Sequence, residues 1–206
     1  NLQHELSLLE EEGLDFIHVD IMDGHYVPNL TLGPGFVRSI AAGCSLPLDL
    51  HLMVDRAEAY LPAFVHAIQA GATEYPRAAG DLEVNEGRDV IVSFHPETTW
   101  HPARTIEQIR ELGMRPAIAL SPGVPVQRFA MLLEEVELVV VMTVNPGYSG
   151  QKLIPWTLDK VRELVRLRRE QGYRYEIEID GNVSWDNIPG MIEAGGDVLV
   201  AGTSSM

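Results

Sequence analysis

Four times along this chain a helical stretch runs into glycine, in "EEGLDF", "QAGA", "ELGMRP" and "EAGGDVLV", and in all but the second a strand-like run follows at once. Glycine is the usual stop at a helix C-terminus, so each is a helix end feeding a new element. Helical patterns cover residues 2–12, 57–70, 103–112, 125–133, 155–171 and 185–194. Between and after them lie strand-like runs at 15–21, 47–54, 90–94, 115–120, 138–144, 175–180 and 197–201. Strands separated by crossovers of this length pair in parallel. The predicted class is therefore α/β, either an open doubly wound sheet or a barrel. The barrel form needs eight strands and runs to about 250 residues. Seven strands are visible in 206 residues, the first preceded by a helix and the last followed by almost nothing. The barrel reading thus implies that the first strand and last helix are absent from this sequence.

The strands carry a second pattern. In "FIHVDIM" the residues His18, Asp20 and Met22 share one face, opposite Ile17, Val19 and Ile21. "LDLHLM" sets Asp49, His51 and Met53 against Leu48, Leu50 and Leu52. "EIEID" sets Glu176, Glu178 and Asp180 against Ile177 and Ile179. In a parallel barrel the apolar face packs on helices, which sends the polar face inward. Unpaired polar groups there cost several kcal/mol, so they need partners. Two imidazoles and two carboxylates, His18, Asp20, His51 and Asp180, stand near the C-terminal ends of their strands. They form a candidate site for a divalent ion such as Zn²⁺, Fe²⁺ or Mn²⁺. Met22, Met53 and Met142 read either as core filling or as a soft lining of the same site.

Glycine turns follow the late strands: "NPGYSGQ" (Gly147, Tyr148, Ser149, Gly150), "DGN" (Gly181, Asn182) and "AGTSS" (Gly202, Thr203). Any one is an ordinary turn. Three after successive late strands match the place where barrels bind phosphate on backbone N–H groups. Residues 73–89 are poor in apolar residues and aperiodic, and are expected to form a solvated excursion. The whole of 1–206 is read as a single domain.

Composition narrows the partners. A net charge of −15 opposes nucleic acid and anionic membranes. No apolar run reaches the ~18 residues of a membrane span, and nothing reads as a secretory signal. Cys44, the lone cysteine, excludes an intrachain disulfide and suits a reducing, cytoplasmic setting.

The segments "HVDIMDGHYVPNLTLGP", "DLHLMV", "FHPE", "VMTVNPGYSGQ", "IEIDGN" and "AGTSS" together resemble the ribulose-phosphate 3-epimerase family, over nearly the whole chain outside 73–89. The resemblance implies a (β/α)₈ TIM barrel that interconverts ribulose 5-phosphate and xylulose 5-phosphate with a divalent metal, Co²⁺ joining the candidates above. It implies His18, Asp20, His51 and Asp180 as metal ligands and Asp20 and Asp180 as the acid–base pair. The glycine turns would hold the phosphate, and the chain would assemble as a dimer or hexamer. The family's opening strand, with a substrate-contacting serine, and its final helix are missing. Ser149 and Asn182 stand where the family has glycine, both expected in the phosphate cradle. "YEIEID", "WTLDK" and "GTSS" are also similar to allulose-6-phosphate 3-epimerases. A barrel that binds phosphosugars without catalysis is the remaining alternative.

Overall fold

The computed structural model describes residues 1–73 and 88–202. Most of the expected excursion at 73–89 and Thr203 lie outside the described residues. Among the described residues seven strands stand side by side in chain order, every neighbouring pair parallel. They are β1 (Ile17–Met22), β2 (Leu48–Met53), β3 (Val90–Phe94), β4 (Arg115–Leu120), β5 (Leu138–Met142), β6 (Glu176–Asp180) and β7 (Val198–Leu199). All seven expected strands are found, with ends shifted by at most two residues. Among the described residues the order never reverses, so they hold no doubly wound switch point. The sheet curls until His18 on β1 lies 3.5 Å from Glu178 on β6. This is the TIM-barrel architecture, short of closure among the described residues. β1 and β7 remain edges, and a cavity of about 1400 Å³ runs between them from helix α1 (Leu2–Glu11) up to the loops beyond β5, β6 and β7.

The two faces of the sheet do different work. Ile17, Val19 and Ile21, the three leucines of β2, and Ile177 and Ile179 point outward into the main core. There they meet Val37 of α2 (Pro34–Ala41), Phe64 of α3 (Leu61–Ala72), Ile106 of α4 (Pro102–Glu111), Leu164 of α5 (Thr157–Gln171) and Met191 of α6 (Ile188–Ala194). Leu48, Leu50 and Leu52 are wholly buried, each worth about 1.5–3 kcal/mol. On the inner face, β3 to β5 contribute Ile91, Ala117, Ala119, Leu138, Val140 and Met142, a dry patch of small and aliphatic groups. The inward polar residues of β2 and β6 flank this patch, Asp49 pairing with Ile91 and Glu178 with Val140.

Helix α2 escaped the sequence reading. Gly33, Pro34 and Gly35 look like a turn, yet Pro34 opens the helix, where its missing N–H costs nothing. Val37, Ile40 and Ala41 then bury one face. Gly71 of α3 lets α2 pack close, because a Cβ there would land on the Arg38 carbonyl oxygen and the Ala41 side chain. The helix expected at 125–133 is instead a 3₁₀ segment, Val126–Glu135, broken at Phe129 (φ −124°, ψ 19°). Cys44 lies in the connection after α2 and is fully buried. Among the described residues, no helix is long and apolar enough to cross a membrane.

Candidate metal and sugar-phosphate site

Strand register does the first part of the assembly. Asp20 pairs with His51 across β1 and β2, and Met142 pairs with Asp180 across β5 and β6. Curling brings β6 round to β1, so residues far apart in sequence converge. His51 Nδ1 lies 3.1 Å from Asp20 Oδ1 and 3.4 Å from Asp180 Oδ2. His18 Nε2 lies 3.3 Å from Asp20 Oδ1. One ligand atom from each of His18, Asp20, His51 and Asp180 falls within 4.8 Å of all the others. His51 is fully buried, whereas the Asp20 side chain keeps 45% of its surface and opens to the cavity.

The charges on this quartet say what it lacks. Burial pushes the His51 imidazole down, but Asp180 and Asp20 outweigh burial and hold it up at about 9. His18 is likewise opposed by burial and raised well above the ordinary value by Asp49, Asp20 and Glu178. Asp20, despite burial, is driven far below the usual carboxylate range by hydrogen bonds to His18 and His51. The carboxylates of the quartet therefore draw protons onto both imidazoles. A divalent cation delivers the same positive charge while displacing those protons, and a nitrogen–carboxylate donor set suits such an ion. The group fits a divalent metal.

Behind the quartet lie side chains absent from the candidate set. His18 Nδ1 donates to Asp49 Oδ2 at 2.5 Å, which leaves its Nε2 facing Asp20. Burial and the Asp49 charge raise Glu178 well above the carboxylate range, whereas Asp49, against burial, is held below it by His18. His18, Asp49 and Glu178 also bring ligand atoms within 4.8 Å, but Asp49 already occupies the His18 nitrogen that such a trio would need. On the far side of His51 stand His95, Glu97, Ser121 and Tyr26. Burial keeps His95 below its ordinary value. Glu97, against burial, is held at about 2, chiefly by the His95 ring, whose Nδ1 lies 3.6 Å away. These residues carry no spacing signal, being separated by up to 95 positions. The "FHPE" stretch was singled out only by resemblance.

The mouth is built from loops. Met22, Met53, Met142, Gly147, Tyr148, Ser149, Gly150, Gly181, Asn182 and Gly202 all line the large cavity with His18, Asp20 and Asp180. Met22 and Met53 pack with Val27 and Tyr26, whereas Met142 belongs to the inner apolar patch. Gln151 staples its turn, accepting from Asn145 N at 3.2 Å and donating to Tyr148 O at 2.9 Å. Gly181 sits at φ +120°, and a Cβ there would strike Val144 and Thr143. Asn182 tolerates φ +47°, as asparagine does. Its Oδ1 turns aside to accept from Leu153 N at 3.1 Å and Asn187 Nδ2 at 2.8 Å. Described residues lining the cavity include no lysine or arginine, leaving backbone N–H groups as the natural anion holders. His25, another potential ligand in the first strand's loop, is exposed and bonds back to Asp23.

A family model described as "Ribulose-phosphate 3 epimerase family" matches residues 1–74 and 81–206. The ribulose-phosphate 3-epimerase of Bacillus subtilis (strain 168) is 39% identical over 204 residues, covering 98% of this chain and 85% of its own length. That of Treponema pallidum (strain Nichols) is 40% identical over 203 residues, covering 98% and 84%. Among solved structures, a mutant tryptophan synthase α-subunit from Pyrococcus furiosus superposes with a TM-score of 0.64 at 16% identity, over 98% of this chain and 82% of that one. At that identity the likeness speaks for the barrel fold alone.

Proposed function

This chain belongs to the ribulose-phosphate 3-epimerase family, and on that premise we propose that it interconverts D-ribulose 5-phosphate and D-xylulose 5-phosphate, with Asp20 and Asp180 exchanging the proton at carbon 3. It is an isomerase of carbohydrate metabolism. The observation that carries the residue assignment is the quartet itself, with its ligand atoms within 4.8 Å and its two carboxylates on different strands. A divalent ion held by His18, Asp20, His51 and Asp180 supplies Lewis-acid stabilisation of the negative charge that develops on the substrate oxygens. Imidazole and carboxylate donors suit Zn²⁺, Fe²⁺, Mn²⁺ or Co²⁺.

The chain's own groups then divide the labour. In one direction Asp20 takes the proton from carbon 3, and Asp180 delivers one to the opposite face of the flat enediolate. In the other direction the roles exchange. Inversion needs carboxylates on two sides of a planar species, and the placement of Asp20 on β1 and Asp180 on β6 supports that reading. Met22, Met53 and Met142 exclude water from the reacting carbons, and the glycine turns hold the phosphate through backbone N–H groups, fixing the reacting carbon between the acids.

Asp180→Asn is expected to abolish epimerisation at carbon 3 while leaving the unfolding transition in place. Near-normal turnover by that variant would overturn the assignment. Coupled assays on ribulose 5-phosphate and allulose 6-phosphate test the substrate, and a preference for the hexulose would replace the pentulose in this reading. Binding without exchange would favour a non-catalytic barrel.

A further inference from the structure

His51 presents its two ring nitrogens to different worlds. Nδ1 faces Asp20 and Asp180, whereas Nε2 lies 3.0 Å from Nε2 of His95. The His95 ring is buried, and its Nδ1 is 3.0 Å from Ser121 Oγ. Ser121 Oγ lies 3.0 Å from Glu97 Oε1 and 2.7 Å from the Tyr26 hydroxyl, and that hydroxyl donates to the same Glu97 oxygen at 2.9 Å.

Counting donors gives this chain one direction. A cation on His51 Nδ1 requires the ring hydrogen on Nε2, since a neutral imidazole carries only one. His95 Nε2 must then accept, which puts the His95 hydrogen on Nδ1. From there it donates to Ser121 Oγ, and Ser121 donates onward to Glu97, a carboxylate that can only accept. With a non-accepting group in place of His95, the buried Nε2–H has no partner. His51 is then better served by a hydrogen on Nδ1, shared with Asp20 or Asp180, which closes that nitrogen to a cation.

We propose that His95, backed by Ser121, Glu97 and Tyr26, is a positioning residue that selects the His51 tautomer whose Nδ1 lone pair is free for a divalent ion. The inference rests on the metal reading of the quartet. It assigns the "FHPE" stretch a role in preparing that metal site, without contact to substrate.

The test compares the wild-type protein with His95→Phe, which keeps a ring but no acceptor, and His95→Gln, which restores an acceptor and a donor. Zn²⁺ affinity, measured by competition with a chromophoric chelator, is expected to fall about 10–100-fold in His95→Phe and to recover most of that in His95→Gln. In ¹⁵N-histidine NMR of the Zn²⁺-loaded wild type, the hydrogen should sit on Nε2 of His51 and Nδ1 of His95. His95→Phe binding Zn²⁺ within twofold of wild type overturns the proposal. So does a hydrogen found on Nδ1 of His51 or Nε2 of His95, a readout that holds even if His95→Phe fails to fold. Wild-type protein that takes up no divalent ion defeats the metal reading itself, and the proposal with it.

Discussion

Metal uptake by this site should release protons, and its strength should climb with pH. Against its burial, Asp180 and Asp20 hold the His51 imidazole up at about 9. At pH 7 it is therefore protonated and must lose its proton before a cation can bind. For a group titrating near 9, the apparent affinity at pH 7 is lowered about 100-fold, or roughly 2.7 kcal/mol. At pH 8.5 the same competition costs only about fourfold, so affinity should rise about 25-fold between the two. His18 is raised too, which adds to the effect in the same sense. Asp20 is ionised throughout this range and contributes no pH dependence. The assay is calorimetric titration of Mn²⁺ into chelator-treated protein, in buffers of differing ionisation enthalpy. The dependence of observed heat on buffer enthalpy gives the number of protons released, expected to be at least about one at pH 7. Affinity flat from pH 7 to 8.5, with no proton release, would refute the claim that the carboxylates charge these imidazoles.

Two further expectations concern the scaffold. Gly71→Ala should cost about 1–3 kcal/mol by forcing α2 and α3 apart, read in thermal unfolding as a drop of roughly 2–4 °C per kcal/mol; an unchanged Tm would show that the helices can give way. Lys160 is buried and donates to the carbonyls of Ser121, Pro122 and Val124 at 2.6, 2.6 and 2.5 Å. Lys160→Met keeps the aliphatic stem and orphans those oxygens, so denaturant unfolding should show a loss of about 1–3 kcal/mol, and equal stability would contradict that accounting.

What the sequence revealed and what it hid follow from the range of the forces involved. Strand alternation is local, so His18, Asp20, His51 and Asp180 could be assigned to one inner face before any fold was known. Helix stops are local as well, which is why the βα rhythm was legible. Helix α2 was hidden because Pro34 and Gly35 serve a helix start as readily as a turn, and only burial of Val37 and Ile40 distinguishes the two. The residues behind the metal ligands were hidden for a different reason. His95 meets Ser121 26 positions away, and Tyr26 reaches Glu97 across 71. Curling of the sheet creates those meetings, and no window of sequence contains them. Asn182, expected to replace a cradle glycine, lines the cavity, and its side chain turns aside to neighbouring loops in a way no local pattern signals.

That turned side chain has a mechanical consequence. By holding the main chain at Leu153 and the amide of Asn187 on a single oxygen, Asn182 ties the segment leaving β5 to the one entering α6. Two walls that would otherwise drift separately are yoked into one jaw, so a sugar phosphate seated against either would be met by both in a fixed relation.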